Sequence, residues 1–552
     1  MILSHLYLLL LTGLMQFAPW TQGAPLPACS GPEPLCNCRG TEIYCFQRSL
    51  TEPPSDIPAD TTILRLERNR LTYVPRQVFS NLSRLRELDL SDNVIHKLDV
   101  GTFDGLESLV TLKLEKNRIT SSTLLDGTFR NLRSLARLGL WGNIISTLSV
   151  NLFDGLTNLE EIDLKNNIIE ALPVGIFSQT TSLRTVTLAN NGLESLDNIL
   201  PAIPDNITEV DLSGNSIASL NRDGFARFTN LATLFLGSNG FGDLESGVFN
   251  GLDNLRNLYL DENRISSLAS GLFQGLPNLG QIWLDNNDLA ELRRNSFGDH
   301  PLLASLYLSN NTISTIEPGI FSSFPALRKI DLTSNRISTL PDGVFDNLAE
   351  IRELYLSNNM LQNLDEDIFK DFRNVLEIKI EENKLKSLPS GIFRGLQTLK
   401  RLDLGGNSLS ALPVDIFAGL TELSRLGLSD NNLEIIQDGT FENLPALKSL
   451  ALYDMDIQNV SCGTFPSSTE VEVTLDCTCR LKPLYACPTF RALGFRLICW
   501  KPQELYKRTL DTISKDVLKC ITSSANRNQG FGAGFAMPLI MLINLLVNSI
   551  RF

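Results

Sequence analysis

The chain has 552 residues, 43% of them hydrophobic, with a formal net charge of −14 and a sequence pI near 4.9. So acidic a balance excludes nucleic acid or heparin as the principal partner, since both demand a basic footprint. The length alone suggests several globular domains, an expectation that internal repetition overrides.

Residues 1–23 read as a secretory signal: Leu6 to Leu14 is almost unbroken apolar sequence, and Gly23 and Ala24 suit a cleavage site. Residues 24–60 follow as a cysteine-rich cap, with Cys29, Cys36, Cys38 and Cys45 spaced C-x6-C-x-C-x6-C. Cysteines gathered at a chain end fit a disulfide framework in an oxidising compartment. Zinc is not expected, because the chain has no C-x2-C and no paired histidines.

Residues 61–460 repeat one unit. Leu399 to Glu422 reads L-K-R-L-D-L-G-G-N-S-L-S-A-L-P-V-D-I-F-A-G-L-T-E, and its asparagine recurs from Asn69 and Asn93 to Asn407 and Asn431. The step is 24 residues everywhere except between Asn117 and Asn143, where it is 26. In Leu402-Asp403-Leu404 apolar and polar residues alternate, the period of a strand with one buried face. The asparagine stands where the chain leaves that strand, and a column of such side chains can satisfy buried turn amides. Leu409 and Leu412 continue inward, and Phe417 fills the space behind. Phenylalanines form a second column from Phe79 to Phe465, absent only from the repeat at Asn191, which offers Pro201 and Pro204. One unit cannot bury this much apolar surface, whereas stacked units can.

The pattern is similar to the L-x-x-L-x-L-x-x-N-x-L consensus of leucine-rich repeats. The expected fold is therefore an α/β-type repeat solenoid of about 17 units, a horseshoe with a parallel β-sheet on its concave face. The last unit places Met455 where the asparagine should stand, and the ladder is expected to end there.

On each strand the residue between the two ladder apolars points to the open face, and this column contains a run of aromatics: Phe235, Tyr259, Trp283 and Tyr307, with Tyr355 two strands on. Acidic residues surround them: Asp211 before, Asp261, Glu262 and Asp285 beside, Asp331 after. Such aromatics are either ordinary cross-strand stabilisers or a recognition strip of large, rigid, amphipathic side chains. An aromatic and acidic floor suits a sugar-bearing or cationic ligand, or a protein with a basic patch. Glu377, Glu381 and Glu382 with Lys379 read as a solvated face. N-glycosylation sequons fall at Asn81, Asn206, Asn310 and Asn459. A glycan on Asn310 would obstruct the strip's edge.

Residues 461–522 form a second cysteine-rich cap with Cys462, Cys477, Cys479, Cys487, Cys499 and Cys520. In residues 523–552, Ser523-Ser524-Ala525 precede a polar, glycine-rich spacer and an apolar tail from Phe535 to Val547. That order is the layout of a GPI-attachment signal, with Ser523 or Ser524 as the lipid-attachment residue. A single membrane-spanning helix is the alternative, although the tail is short of the roughly 20 apolar residues a crossing needs. Either anchor places the repeats on the extracellular side of the plasma membrane.

The first cysteine cluster, followed by Ser49-Leu50-Thr51 and Ile57-Pro58, resembles the leucine-rich-repeat N-terminal cap. Cys477-Thr478-Cys479-Arg480-Leu481 through Cys499-Trp500-Lys501-Pro502 to Cys520 resembles the matching C-terminal cap. Together with the tail, the chain resembles the variable lymphocyte receptors of jawless vertebrates and related chordate receptors. In that family the concave face and the C-terminal cap bind antigen. Here no insert stands out between Cys499 and Cys520 and no threonine/proline-rich stalk precedes the tail, so only surface recognition carries over. The resemblance implies disulfides Cys29–Cys38, Cys36–Cys45, Cys477–Cys499 and Cys479–Cys520, with Cys462 and Cys487 remaining.

No catalytic constellation is expected, because the mature chain keeps only His96 and His300, many repeats apart. No cofactor is called for. The expected role is a cell-surface recognition receptor of innate-immune type, binding microbial surface molecules or glycans on its concave face. The alternative is a cell-adhesion, matrix or growth-factor-binding leucine-rich repeat protein. A homodimer through a convex or lateral surface stays open.

Overall fold

The computed structural model describes residues 28–29, 35–458, 460–465, 471–488 and 496–518. The signal, Asn459, Cys520, and Ser523 and Ser524 with the rest of the tail lie outside them. The chain divides into two compact units, residues 1–361 with 368–375, and residues 362–367 with 376–552.

In the first unit each repeat supplies a three-residue strand, from Ile63–Arg65 through Glu87–Asp89 and Thr111–Lys113 to Glu353–Tyr355. Neighbouring strands pair in parallel and in repeat register, Leu64 opposite Leu88 and Leu234 opposite Leu258. The middle residue of each points into the core: Leu64, Leu88, Leu112 and Leu234 are 0% exposed, while most flanking residues are half-exposed. The N-terminal cap closes this sheet. Asn37–Arg39 runs antiparallel to Glu42–Tyr44, which pairs in parallel with Ile63–Arg65. Disulfides Cys29–Cys38 and Cys36–Cys45, with Cα separations of 6.0 and 4.4 Å, hold it.

The second unit carries the same ladder from Glu377–Lys379 through Arg401–Asp403 and Arg425–Gly427 to Ser449–Leu452. Here the structure corrects the expected end. The sheet continues into the C-terminal cap, with Glu472–Leu475 parallel to Ser449–Leu452 and Leu497–Cys499 parallel to Glu472–Leu475. The asparagines stop at Met455, yet parallel pairing needs only strand backbone, and the cap provides it. Disulfides Cys462–Cys487 and Cys477–Cys499 fasten these strands, with Cα separations of 5.7 and 5.3 Å. Cys479 is also disulfide-bonded.

The asparagine column ties each turn to its neighbours. Asn287 donates from Nδ2 to the Leu260 and Leu284 carbonyls at 2.9 and 3.1 Å and accepts the Ile265 amide at 3.0 Å. Each carbonyl also accepts from a second asparagine of the column, Leu260 from Asn263 at 3.0 Å and Leu284 from Asn311 at 2.9 Å, so the side chains link buried backbone groups of adjacent repeats in a continuous ladder. On the far side, phenylalanines stack from repeat to repeat: Phe103–Phe129, Phe129–Phe153 and Phe153–Phe177 have ring centres 6.0, 6.3 and 5.7 Å apart.

That far side is built of turns and short 3-10 segments; the one α-helix among the described residues is Arg294–Phe297. A helix is about 10 Å across, twice the strand spacing of about 4.8 Å. Turns let the backs of adjacent repeats approach closely enough for the rings to stack. Gly105 shows how close: its φ is +89°, and a Cβ there would lie 2.3 Å from the Ser80 carbonyl oxygen. The repeat at Asn191 differs. Two 3-10 turns, Leu196–Asn198 and Leu200–Ala202, stand in this repeat, with Ile199, Leu200 and Ile203 buried. Arg227 of the next repeat then donates to the Ile203 carbonyl at 2.6 Å and contacts the Leu200 carbonyl and Asp205.

Candidate binding surface

The ladder sets Phe235 opposite Tyr259, Tyr259 opposite Trp283 and Trp283 opposite Tyr307 on the face of the sheet away from the core. Strand spacing of about 4.8 Å is close to a ring-stacking distance. The four rings accordingly form one pile, with centres 4.3, 3.8 and 5.1 Å apart and planes 19°, 14° and 6° from parallel. Tyr355 joins differently. Lys329 Nζ lies 5.2 Å from the Tyr307 ring centre and 4.8 Å from that of Tyr355, so an ammonium group bridges the gap over Asp331. Glu353 holds that lysine at 3.1 Å and accepts the Tyr355 hydroxyl at 2.9 Å. Lys329 was missed in the sequence because it occupies the first strand position, one column from the aromatics.

The acidic residues fall into different roles. Asp211 accepts the Ser213 amide and hydroxyl at 3.0 and 2.6 Å, and Asp331 accepts the Thr333 amide at 3.0 Å, so both secure their own turns. Asp285 accepts the Ser309 amide at 2.7 Å. Asp261 lies over Gly237, where a Cβ would come within 2.8 Å of its carboxylate. Burial pushes the Asp285 carboxyl up to about 6 despite the bonds from Ser309, and nearby Asp331 and Asp261 add to the rise. Burial also raises Asp261, with Glu262 contributing, and raises Glu209, with Asp211 and Glu161 contributing.

Several other acids on this face are compensated. Glu87 pairs with Arg65 at 3.1 Å and Lys113 at 3.0 Å, and Asp163 with Lys165 at 3.0 Å. In the second unit Glu377 pairs with Lys379 at 3.2 Å and Arg401 at 2.9 Å. Among the described residues Glu209, Asp211, Asp261 and Asp285 make no ion pair. The aromatic pile therefore sits beside a run of carboxylates, Glu209, Asp211, Asp261 and Asp285, that carry no ion pair.

Of the sequons, Asn81 is exposed, and Asn310 is exposed at φ +53. Asn206 is half-buried and donates to the Thr181 carbonyl at 2.9 Å, as Asn158 and Asn254 do to Arg133 and Thr229 in their repeats. His300 is buried at 1% exposure between the Phe297 and Leu276 carbonyls, while His96 is exposed. Two clusters went unread in the sequence. Glu115 leans over Gly139, with Oε2 buried and without a hydrogen bond, and burial raises its carboxyl to about 7. In the second unit Tyr453 stacks on Trp500 at 4.4 Å, and Asp476, just after the intervening strand Glu472–Leu475, is raised to about 6 by burial and Asp454. Among the described residues no group of three or more His, Cys, Asp or Glu could hold a metal ion.

The Leucine rich repeat family profile matches residues 60–119 and, in overlapping stretches, 133–457; the Leucine rich repeat N-terminal domain profile matches 32–58. The chain belongs to the leucine-rich repeat family. This leucine-rich repeat chain is 45% identical over 89 residues to "Leucine-rich repeat-containing protein 3" of Danio rerio, covering 15% of the chain and 34% of that relative. It spans about a third of the length of that curated relative. A solved leucine-rich repeat protein of Leptospira interrogans aligns with TM-score 0.58 and 27% identity, over 68% of the chain and 91% of that protein. The Toll–Spatzle complex of Drosophila aligns with TM-score 0.69 and 20% identity, over 89% of the chain and 77% of the matched chain. Disulfides at both ends and the N-terminal cap mark an extracellular or secreted protein. Among the described residues no helix is long and apolar enough to cross a membrane.

Proposed function

We propose that this leucine-rich repeat chain is a recognition receptor of innate-immune type, a binding protein and not an enzyme, that holds its ligand across the strip from Phe235 to Tyr355. The observation that carries this reading is the four-ring pile, half-exposed on a rigid sheet and set among uncompensated carboxylates. Rigid aromatic area lowers the ordering cost of binding, and aromatics dominate interface hot spots. The ligand classes are a microbial surface molecule or glycan on one reading and an extracellular protein on the other. Ring stacking favours the second, since sugars pack on ring faces and these faces are covered. The same fold is found in Drosophila Toll in complex with Spatzle.

The proposal includes a signal at residues 1–23 and lipid attachment at Ser523 or Ser524, giving surface display in the manner of variable lymphocyte receptors and related receptors. Release of the chain from expressing cells by phosphatidylinositol-specific phospholipase tests the anchor. The binding reading is tested by staining those cells with labelled bacteria, polysaccharides and extracellular proteins, comparing the parent with Trp283→Ala and Tyr307→Ala. A ligand lost in both variants supports the strip. Ligands that bind both variants as they bind the parent sink it.

A further inference from the structure

The first observation is what the pile leaves available. Tyr259 and Trp283 have a ring on each side at 3.8 to 5.1 Å, and Lys329 stands beyond Tyr307. From Tyr259 to Tyr307 the ring faces, the electron-rich surfaces that draw cations and sugar C–H groups, are therefore occupied. Ring edges and hydroxyls remain, a ridge suited to aliphatic contact. The second observation is charge. One flank of the ridge carries Asp261 and Asp285 without an ion pair, whereas Glu87, Asp163 and Glu353 elsewhere on the sheet pair with lysine. The other flank, Thr233, Asn257, Gln281 and Ser305, is neutral and can hydrogen-bond. The face thus has an apolar ridge with an anionic side and a neutral side.

We infer that this ridge docks a basic segment of a protein partner, with aliphatic side chains along the ring edges and lysine or arginine side chains on Asp261 and Asp285. The inference rests on the strip being the binding surface and adds the chemistry of its ligand. Charge complementarity argues for this occupant: a cation would supply the compensation that Glu87, Asp163 and Glu353 receive from within the chain. A polysaccharide, lacking cations and needing ring faces, satisfies neither feature.

The test uses the purified chain and three fluorescent probes: a peptide of alternating lysine and leucine, its glutamate–leucine counterpart, and a soluble β-glucan. The expected result is binding of the lysine peptide alone, weakened about tenfold by Asp261→Asn/Asp285→Asn and weakened again by added salt. Asp415→Asn/Glu422→Gln, on exposed carboxylates of the second unit, should bind as the parent does, and melting curves establish that all variants fold. Loss in Trp283→Phe smaller than in Trp283→Ala would place the contact on the ridge. Equal weakening by both carboxylate pairs, no effect of the Asp261/Asp285 pair, or no lysine-peptide binding up to about 1 mM overturns the inference. Glucan binding that Trp283→Ala abolishes overturns it while leaving the strip as the site. Lysine-peptide binding indifferent to Trp283→Ala overturns both.

Discussion

Trp283 lies face to face with Tyr259, their ring centres 3.8 Å apart and their planes 14° from parallel. The contact joins consecutive strands on the side of the sheet that the core does not reach, so it adds cross-strand cohesion where only backbone bonds would otherwise act. Trp283→Ala leaves Tyr259 and Tyr307 without a ring between them. We expect a loss of about 1 kcal/mol from the missing stacking, read as a lower denaturation midpoint, with Trp283→Phe recovering most of it.

The asparagine column is far more sensitive. Asn287→Ala strands the buried Ile265 amide and takes one donor each from the Leu260 and Leu284 carbonyls, which keep Asn263 and Asn311. A buried group left unpaired costs roughly 1–3 kcal/mol, so a loss of about 2 kcal/mol is expected. Asn310→Ala, on an exposed left-handed turn residue, should cost about 1 kcal/mol. Equilibrium unfolding of the two variants side by side checks the contrast, and equal losses would contradict it.

Glu115 makes stability depend on pH. Burial raises its folded carboxyl to about 7 from an ordinary value of 4.5. The folded state therefore holds this proton more tightly than the unfolded chain, and stability falls as pH rises from about 4.5 to about 7. Glutamine mimics the protonated acid. Glu115→Gln should leave the melting temperature nearly unchanged at pH 5 and raise it at pH 8. A gain confined to pH 5 would refute the burial account.

Arg227 secures the repeat that lacks its phenylalanine. Without it the Ile203 carbonyl and Asp205 lose this donor, and the Leu200 carbonyl keeps only the Ile203 amide. Arg227→Ala should therefore open residues 196–206 locally, seen as faster limited proteolysis there, with a smaller effect on global unfolding.

The C-terminal cap depends on its cross-link because it extends the sheet by two strands with few repeats of its own behind it. Cys477→Ser/Cys499→Ser should cost about 2–5 kcal/mol and expose Val473 and Leu475, which are 2% and 1% exposed in the folded cap. Hydrophobic-dye binding by the variant at a temperature where the parent binds none measures this.

Periodicity alone determined the parallel sheet, the inward leucines, the asparagine and phenylalanine columns and the aromatic run, because a 24-residue step puts equivalent residues on adjacent strands. Phe235, Tyr259, Trp283 and Tyr307 were legible for that reason. Lys329 between two tyrosines, Glu115 over Gly139, Tyr453 on Trp500 and the strands lent by the C-terminal cap were not. A repeat fixes which strand position a side chain leaves from; where a long side chain ends, and whether its charge finds a partner, depends on the space its neighbours leave. Ring faces closed by stacking and carboxylates left without cations are properties of that filled space, and only the tertiary structure decided them.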